Sequence, residues 1–278
     1  MFDLSSRSAK LVFGTVAILI AFFLFFPIYW LVISAFKPNA ELYRITPTLY
    51  PHDPVLTHFA TAFGRGNLLQ QLRNSLVVSC SAAALNTLLA IYAGYSFAKF
   101  RYSGRRLVMV FLLSAQVFPF GLLLISIYPV VTSLGLIDSL AGLTLSYIVF
   151  ALPVSTYMFY SYFTQVPSEM IEAARADGAG ELRIFHTIVL PVSIPAVVTV
   201  FLYGFMWSWN DLLYAMTLIV SESKRTIGPG MLLAYLNEVN SDWGGAMAAS
   251  IAASAPIVVA FAFLQRWFIQ GVTAGSVK

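Results

Sequence analysis

Charge is the scarcest property of this sequence. Asp, Glu, Lys and Arg make up 10% of its 278 residues, and hydrophobic residues make up 59%. A soluble domain carries roughly 25% charged and 45–50% apolar residues, so an ordinary water-soluble domain is excluded. The mean hydropathy of +0.81 points to a chain dissolved in lipid. Cysteine is almost missing. The lone Cys80 excludes an internal disulfide and a cysteine-cluster metal site, and its apolar surroundings predict a small buried side chain. Histidine is rare too: His52 and His58 have no carboxylate or cysteine neighbours at ligand spacing and read as surface residues. Also missing is the phosphate loop Gly-x-x-x-x-Gly-Lys-[Ser/Thr]. None of the five lysines is followed by Ser or Thr, so the chain cannot cradle ATP in that way. No cofactor is expected in it. The net charge of +4 is spread beside apolar stretches and needs no nucleic acid to explain it.

Long apolar runs are abundant. A helix needs about 20 apolar residues to cross the hydrocarbon core, and six segments qualify: 11–34, 72–98, 107–132, 139–163, 191–220 and 247–269. They are uninterrupted, unlike the alternating strands of a barrel. The expected fold is therefore all-α and integral to the membrane, with six transmembrane helices in a single domain over 1–278. The first run exceeds the roughly 7–15-residue core of a secretory signal and reads as a retained span. The fourteen Tyr and five Trp suit interfacial belts as well as packing.

Basic residues set the orientation. With both termini cytoplasmic, ten of the sixteen lie on inner segments, including Lys99, Arg101, Arg105 and Arg106 in one short loop, where positive charge counts most. The two outer segments are then 35–73 and 221–246. A short interfacial helix is expected near 58–65 in the first.

Between the fourth and fifth spans runs a loop, 164–190, that is too long for a simple connection and too ordered for a linker. Ser168 follows Pro167 as an expected N-cap, and Glu169 and Glu172 suit the positive end of a helix. Ala173, Ala174 and Ala176 favour helix. After Asp177, Gly178 can turn left-handed and stop it. A second short amphipathic helix with Leu182, Phe185, Ile188 and Val189 apolar leads through Leu190 to Pro191, which opens the next span. On spacing alone this is a helix–turn–helix on the membrane surface, and spacing by itself favours an ordinary interfacial helix pair.

The same residues resemble a family signature. Glu172-Ala173-Ala174, then Gly178, Ile188 and Leu190-Pro191 at their fixed spacings match the cytoplasmic loop of ABC-importer permeases. The resemblance extends to the carbohydrate branch, and to its maltose type, through Ser34-Ala-Phe-Lys37-Pro38, Arg73-Asn74-Ser75-Leu76 and Ala93-Gly94-Tyr95-Ser-Phe97-Ala98-Lys99-Phe100. Trp209-Asn210-Asp211 and the terminal Gln270-Gly271-Val-Thr273-Ala274-Gly275 match as well. It thus covers nearly the whole chain. It implies a bacterial inner-membrane permease subunit whose loop is a coupling helix seated on a separate ATPase, which binds ATP and Mg. It also implies a second permease, a paralogue of this chain, and two ATPase subunits. A sugar-binding protein, periplasmic or lipid-anchored, completes the set. The tail 270–278, with Thr273, Ala274 and Gly275, would reach between the ATPase subunits.

Polar residues inside spans mark the remaining candidates. Asp211 is the only acidic residue within a predicted span, and such groups usually face a cavity or a partner. With Tyr203, Trp207 and Asn210 it forms a set whose aromatic faces and amide suit sugar rings. Packing and hydrogen bonding against a partner permease near the outer interface is the favoured alternative for the set. Three rivals remain on the page. A proton- or sodium-coupled carrier would usually show intramembrane ionisable residues or paired repeats; an ABC permease for a non-sugar solute would share the loop. A membrane-embedded enzyme needs a nucleophile–base pair or a metal cluster, and His186 stands alone, so no catalytic or metal-binding residue is assigned.

Overall fold

The computed structural model describes residues 7–64, 67–236 and 241–274, and all regular structure among them is helical. The order is α1 (Arg7–Ala35), α2 (Asn39–Leu42), α3 (Thr57–Gly64), α4 (Leu68–Lys99), α5 (Arg105–Ser114), α6 (Phe120–Ser133) and α7 (Leu140–Thr164). It continues with α8 (Ser168–Ala176), α9 (Glu181–Ile184), α10 (Leu190–Val192), α11 (Ile194–Trp209), α12 (Leu213–Leu218), α13 (Ile227–Tyr235) and α14 (Trp243–Ala274). By length and composition, α1, α4, α7 and the 243–263 part of α14 can each cross a membrane. Two bent pairs raise the number to six if each is one span: Arg105–Val117 with Phe120–Ser133, bent by 105°, and Glu181–Val192 with Ile194–Trp209, bent by 79°.

The bends are where the expected spans and the structure part. The predicted helix over 107–132 stops before Pro119, with Phe118 extended at φ −73°, ψ 135°. The proline ring crowds the residue before it out of the helical region. The predicted fifth span over 191–220 is also interrupted. Helix α11 ends at Trp209, and Asp211 turns its carboxylate onto the first amides of α12. By contrast Pro129, Pro153 and Pro256 sit within continuous helices.

The chain divides into two compact units, residues 1–68 with 231–255 and residues 69–230 with 256–278. In the first, α1 exposes apolar side chains on every face, Phe23 at 79% among them. The segment after it winds around Glu41, which is buried. Its carboxylate accepts from the Thr48 hydroxyl, from the His52 backbone N–H at 3.2 Å, and lies 2.9 Å from His52 Nδ1. The Thr48 hydroxyl and the His52 ring pull its pKa down from 4.5 to about 2. Lys37 Nζ donates to the Thr48 carbonyl at 2.5 Å and stands 4.4 Å from the Trp30 ring centroid. Of the two histidines read as surface residues, His52 is exposed and His58 is not. His58 is buried with Nε2 2.8 Å from the Lys37 carbonyl, and only a glycine fits opposite it, since a Cβ on Gly244 would come within 2.2 Å of the ring. His52 finds its carboxylate 11 residues upstream, a separation no ligand spacing anticipates. The helix expected near 58–65 is α3; Arg65 lies outside the described residues.

In the second unit two buried clusters form the core. One gathers Tyr95 from α4, Phe159 and Phe163 from α7, Ile171 and Ala174 from α8, and Phe185 and Val189 beyond it. Helices α4 and α7 meet closely at Gly94, where an added Cβ would lie 2.5 Å from Phe159 Cβ and 2.9 Å from Tyr160 N. The other cluster joins Val78, Leu143, Tyr147, Tyr214 and Leu218. Cys80 is exposed, contrary to expectation. In a lipid-facing helix every face is apolar, so an apolar neighbourhood does not reveal which side is packed.

Candidate functional site

Two places bring the predicted residues together, both within the second unit. The first is the 167–191 loop. Helix α8 starts with Pro167, extended at φ −55°, ψ 132°, in the cap position; Ser168 is the first helical residue and does not cap. Proline needs no partner for a missing N–H, which is why it displaces the expected Ser cap. At the other end Gly178 adopts φ 79°. Its N–H donates to the Arg175 carbonyl and that of Ala179 to the Ala174 carbonyl, each at 3.0 Å. This pair of bonds is the Schellman closure that left-handed glycine permits. Arg175 Nε then donates to Glu181 Oε1 at 2.7 Å, which ties α8 to α9 and raises the pKa of Arg175.

A single π turn over Phe185–Val189 follows α9. The wider turn shifts register, so Phe185 and Val189 are buried while Leu182 is 72% exposed. The predicted apolar side of this helix is therefore split. The signature residues divide in the same way. Ala174 is buried, and Ile188 and Leu190 pack against the core. Glu172, Ala173, Asp177, Gly178 and Pro191 are exposed. One side of the loop is an anchor, and the other is a small-residue face left exposed among the described residues.

The second place is a cavity of about 590 Å³. All four residues singled out in the fifth predicted span line it, Tyr203, Trp207, Asn210 and Asp211, together with Phe120 and Leu213. The Trp207 ring centroid lies 4.4 Å from that of Phe150 and 5.3 Å from that of Phe120. Asn210 donates to the Met206 carbonyl at 2.8 Å and is exposed. Asp211 is otherwise engaged. It is 9% exposed and accepts from Tyr147 Oη at 2.7 Å, from Ala215 N–H at 3.0 Å and from Tyr214 N–H at 3.4 Å. The cavity thus presents aromatic faces and an amide, while the carboxylate holds the wall together. Sequence reasoning missed Phe120, which lines the cavity, and Tyr147, which holds Asp211; neither carries a local signal, and both are placed by the crossing of α6, α7 and α11.

Thr273 and Ala274 close α14, and Gly275 lies outside the described residues.

Comparison with known proteins agrees with this architecture. The family model described as binding-protein-dependent transport system inner membrane component matches residues 86–274. The diacetylchitobiose uptake system permease protein DasC of Streptomyces coelicolor is 31% identical over 255 residues, 92% of each chain. The maltodextrin transport system permease protein MdxG of Bacillus subtilis is 36% identical over 223 residues, 80% of each chain. Among solved structures, a bacterial ABC transporter involved in the import of the acidic polysaccharide alginate matches with a TM-score of 0.82 over 96% of this chain and 99% of that one. At 20% identity this last likeness concerns the fold. The helical membrane fold, the family match over most of the chain and relatives alike along nearly their full lengths lead to one conclusion: the chain belongs to the inner membrane components of binding-protein-dependent transport systems.

Proposed function

We propose that this chain is a permease subunit of an ATP-driven carbohydrate importer, spanning the inner membrane six times with both termini in the cytoplasm. It would supply half of the translocation pathway. A paralogous permease would supply the other half, two ATPase subunits would bind ATP and Mg, and a periplasmic or lipid-anchored sugar-binding protein would deliver the cargo. The carbohydrate reading draws on the relatives, whose names specify sugar uptake, and on the aromatic and amide lining of the 590 Å³ cavity. We read Tyr203, Trp207 and Asn210 as pathway-lining and Asp211 as their support.

The observation that carries the coupling role is the exposed face of α8, held rigid from behind by Ile171, Ala174, Phe185 and Val189. A lever needs both: a surface for the ATPase and a stiff attachment to the spans. Closure of the ATPase pair on ATP would move α8 and bias the spans toward another arrangement. This works only if the ATPase binds the two arrangements with different affinity. The tail 270–278 would add a second contact through Thr273, Ala274 and Gly275. Reconstituted Glu172→Lys complex tests the assignment. The altered chain should insert and assemble normally, with ATP-dependent uptake reduced at least about tenfold, equivalent to about 1.4 kcal/mol of lost coupling. Uptake at the unaltered rate would reject α8 as the coupling element.

A further inference from the structure

The segment joining α4 to α5 holds a concave site apart from the aromatic cavity, and its Arg101 and Arg105 also line a cavity of about 740 Å³ shared with the 164–190 loop. Arg101, Tyr102, Arg105 and Arg106 line an open cavity of about 680 Å³, with Leu107 and Val110 along one wall. No Asp or Glu is among its lining residues. Among the described residues Arg101 and Arg106 enter neither an ion pair nor a hydrogen bond. Arg105 uses one N–H, donated to the Phe100 carbonyl at 3.0 Å. Three guanidinium groups therefore share six residues of chain, and among the described residues no carboxylate pairs with them, although Glu169 and Glu172 line a neighbouring cavity with Arg101 and Arg105. The first turn of α5 adds no acidic residue and no side-chain cap.

The apolar wall continues outward from this cluster. Leu107, Val110 and Phe111 are 73%, 57% and 78% exposed, and they begin a helix pair apolar enough to enter a membrane. Cations at the polar end and bare apolar side chains beyond them are the two halves of a phospholipid's surroundings. A guanidinium matches a phosphate oxygen pair with two parallel hydrogen bonds, and basic residues beside a membrane each attract anionic lipid by about 1 kcal/mol. We propose that this cavity seats the headgroup of an anionic phospholipid, with Arg101, Arg105 and Arg106 on its phosphate and its acyl chains along Leu107, Val110 and Phe111. An acidic protein segment would satisfy the arginines, but it would leave that apolar row without a partner.

The test uses the intact complex in detergent, exposed to phosphatidylglycerol or phosphatidylcholine and examined by native mass spectrometry for retained lipid. The unaltered chain should hold phosphatidylglycerol in preference to phosphatidylcholine. Arg101→Gln with Arg106→Gln should weaken phosphatidylglycerol binding about 25-fold, near fivefold for each charge. Arg101→Lys with Arg106→Lys keeps the charge and should retain most of the binding, with an unchanged unfolding temperature in lipid-free detergent. Equal retention of the two lipids by the unaltered chain overturns the proposal whether or not the glutamine variant accumulates. So does displacement of the lipid by millimolar inorganic phosphate, which would make the cavity a site for free anions. Equal phosphatidylglycerol binding by the glutamine and unaltered chains also overturns it.

Discussion

The Tyr147 hydroxyl donates to Asp211 Oδ2 at 2.7 Å, across 64 residues of sequence. Asp211 simultaneously accepts the N–H groups of Tyr214 and Ala215, so one carboxylate both fastens α7 and caps α12. Substituting Asp211 with Ala should strand the Tyr147 hydroxyl and uncap α12. The expected cost is about 1.5–5 kcal/mol, from roughly 1–3 for an unsatisfied buried group and roughly 0.5–2 for a lost cap. Asp211→Asn keeps an acceptor and should lose less. Thermal unfolding of the purified complex measures both; equal stability of the Ala variant and the unaltered chain contradicts this role.

Asn210 should behave differently from its neighbour. Among the described residues its side chain hydrogen-bonds only to the Met206 carbonyl of its own helix, and it is exposed. Asn210→Ala should therefore leave the unfolding temperature within about 1–2 °C, an exposed change of under about 0.5 kcal/mol. It should nevertheless alter which sugars support uptake. An unchanged substrate range in a panel assay removes it from the pathway.

Gly178 separates backbone demand from side-chain space. A Cβ there would meet nothing within 4 Å, but φ is 79°. Gly178→Ala should cost only the left-handed strain, roughly 1–2 kcal/mol. Gly178→Pro cannot adopt that φ and also lacks the N–H donated to Arg175. It should open the α8 closure and reduce ATP-driven uptake while the alanine variant retains most of it. Comparable uptake by both substitutions argues against a rigid α8.

At Gly94 the demand is reversed: space, not φ, requires glycine. Gly94→Val would drive its side chain into Phe159 and the Tyr160 amide. Overpacking of this kind costs typically 1–3 kcal/mol, and contact with backbone, which cannot rotate away, places it at the upper end. A lowered unfolding temperature and reduced accumulation in membranes are expected, and normal values for both would show that α4 and α7 can separate there.

Acid should loosen the segment around Glu41. Its folded pKa of about 2 lies below the usual 4.5. Its stabilisation is therefore complete above the unfolded value and is lost as pH falls toward 2. Glu41→Gln should increase hydrogen exchange over 36–58 at neutral pH, and the difference from the unaltered chain should shrink progressively below pH about 4.5. A difference independent of pH would show that ionisation of Glu41 is not what holds the segment.

Much of this site was legible in one dimension because its determinants are local. Helix formers, a glycine stop and a proline lie at fixed offsets between 167 and 191, and the structure realises α8 and its left-handed closure there. The same local logic failed at Ser168, where the preceding proline holds the cap, and in the second helix, where a π turn rotates Leu182 outward. Neither event leaves a periodic trace.

The sequence by itself determined that the chain is helical, apolar enough for a membrane, and similar to the ABC permeases, since run length, composition and motif spacing are properties of the chain alone. Tertiary structure alone decided which residues meet. Tyr147 with Asp211, His52 with Glu41, and the outward Cys80 depend on helix crossings and loop paths. In lipid nearly every side chain of a span is apolar, so sequence cannot mark the packed face; close approach at points such as Gly94 and satisfaction of buried polar groups decide it.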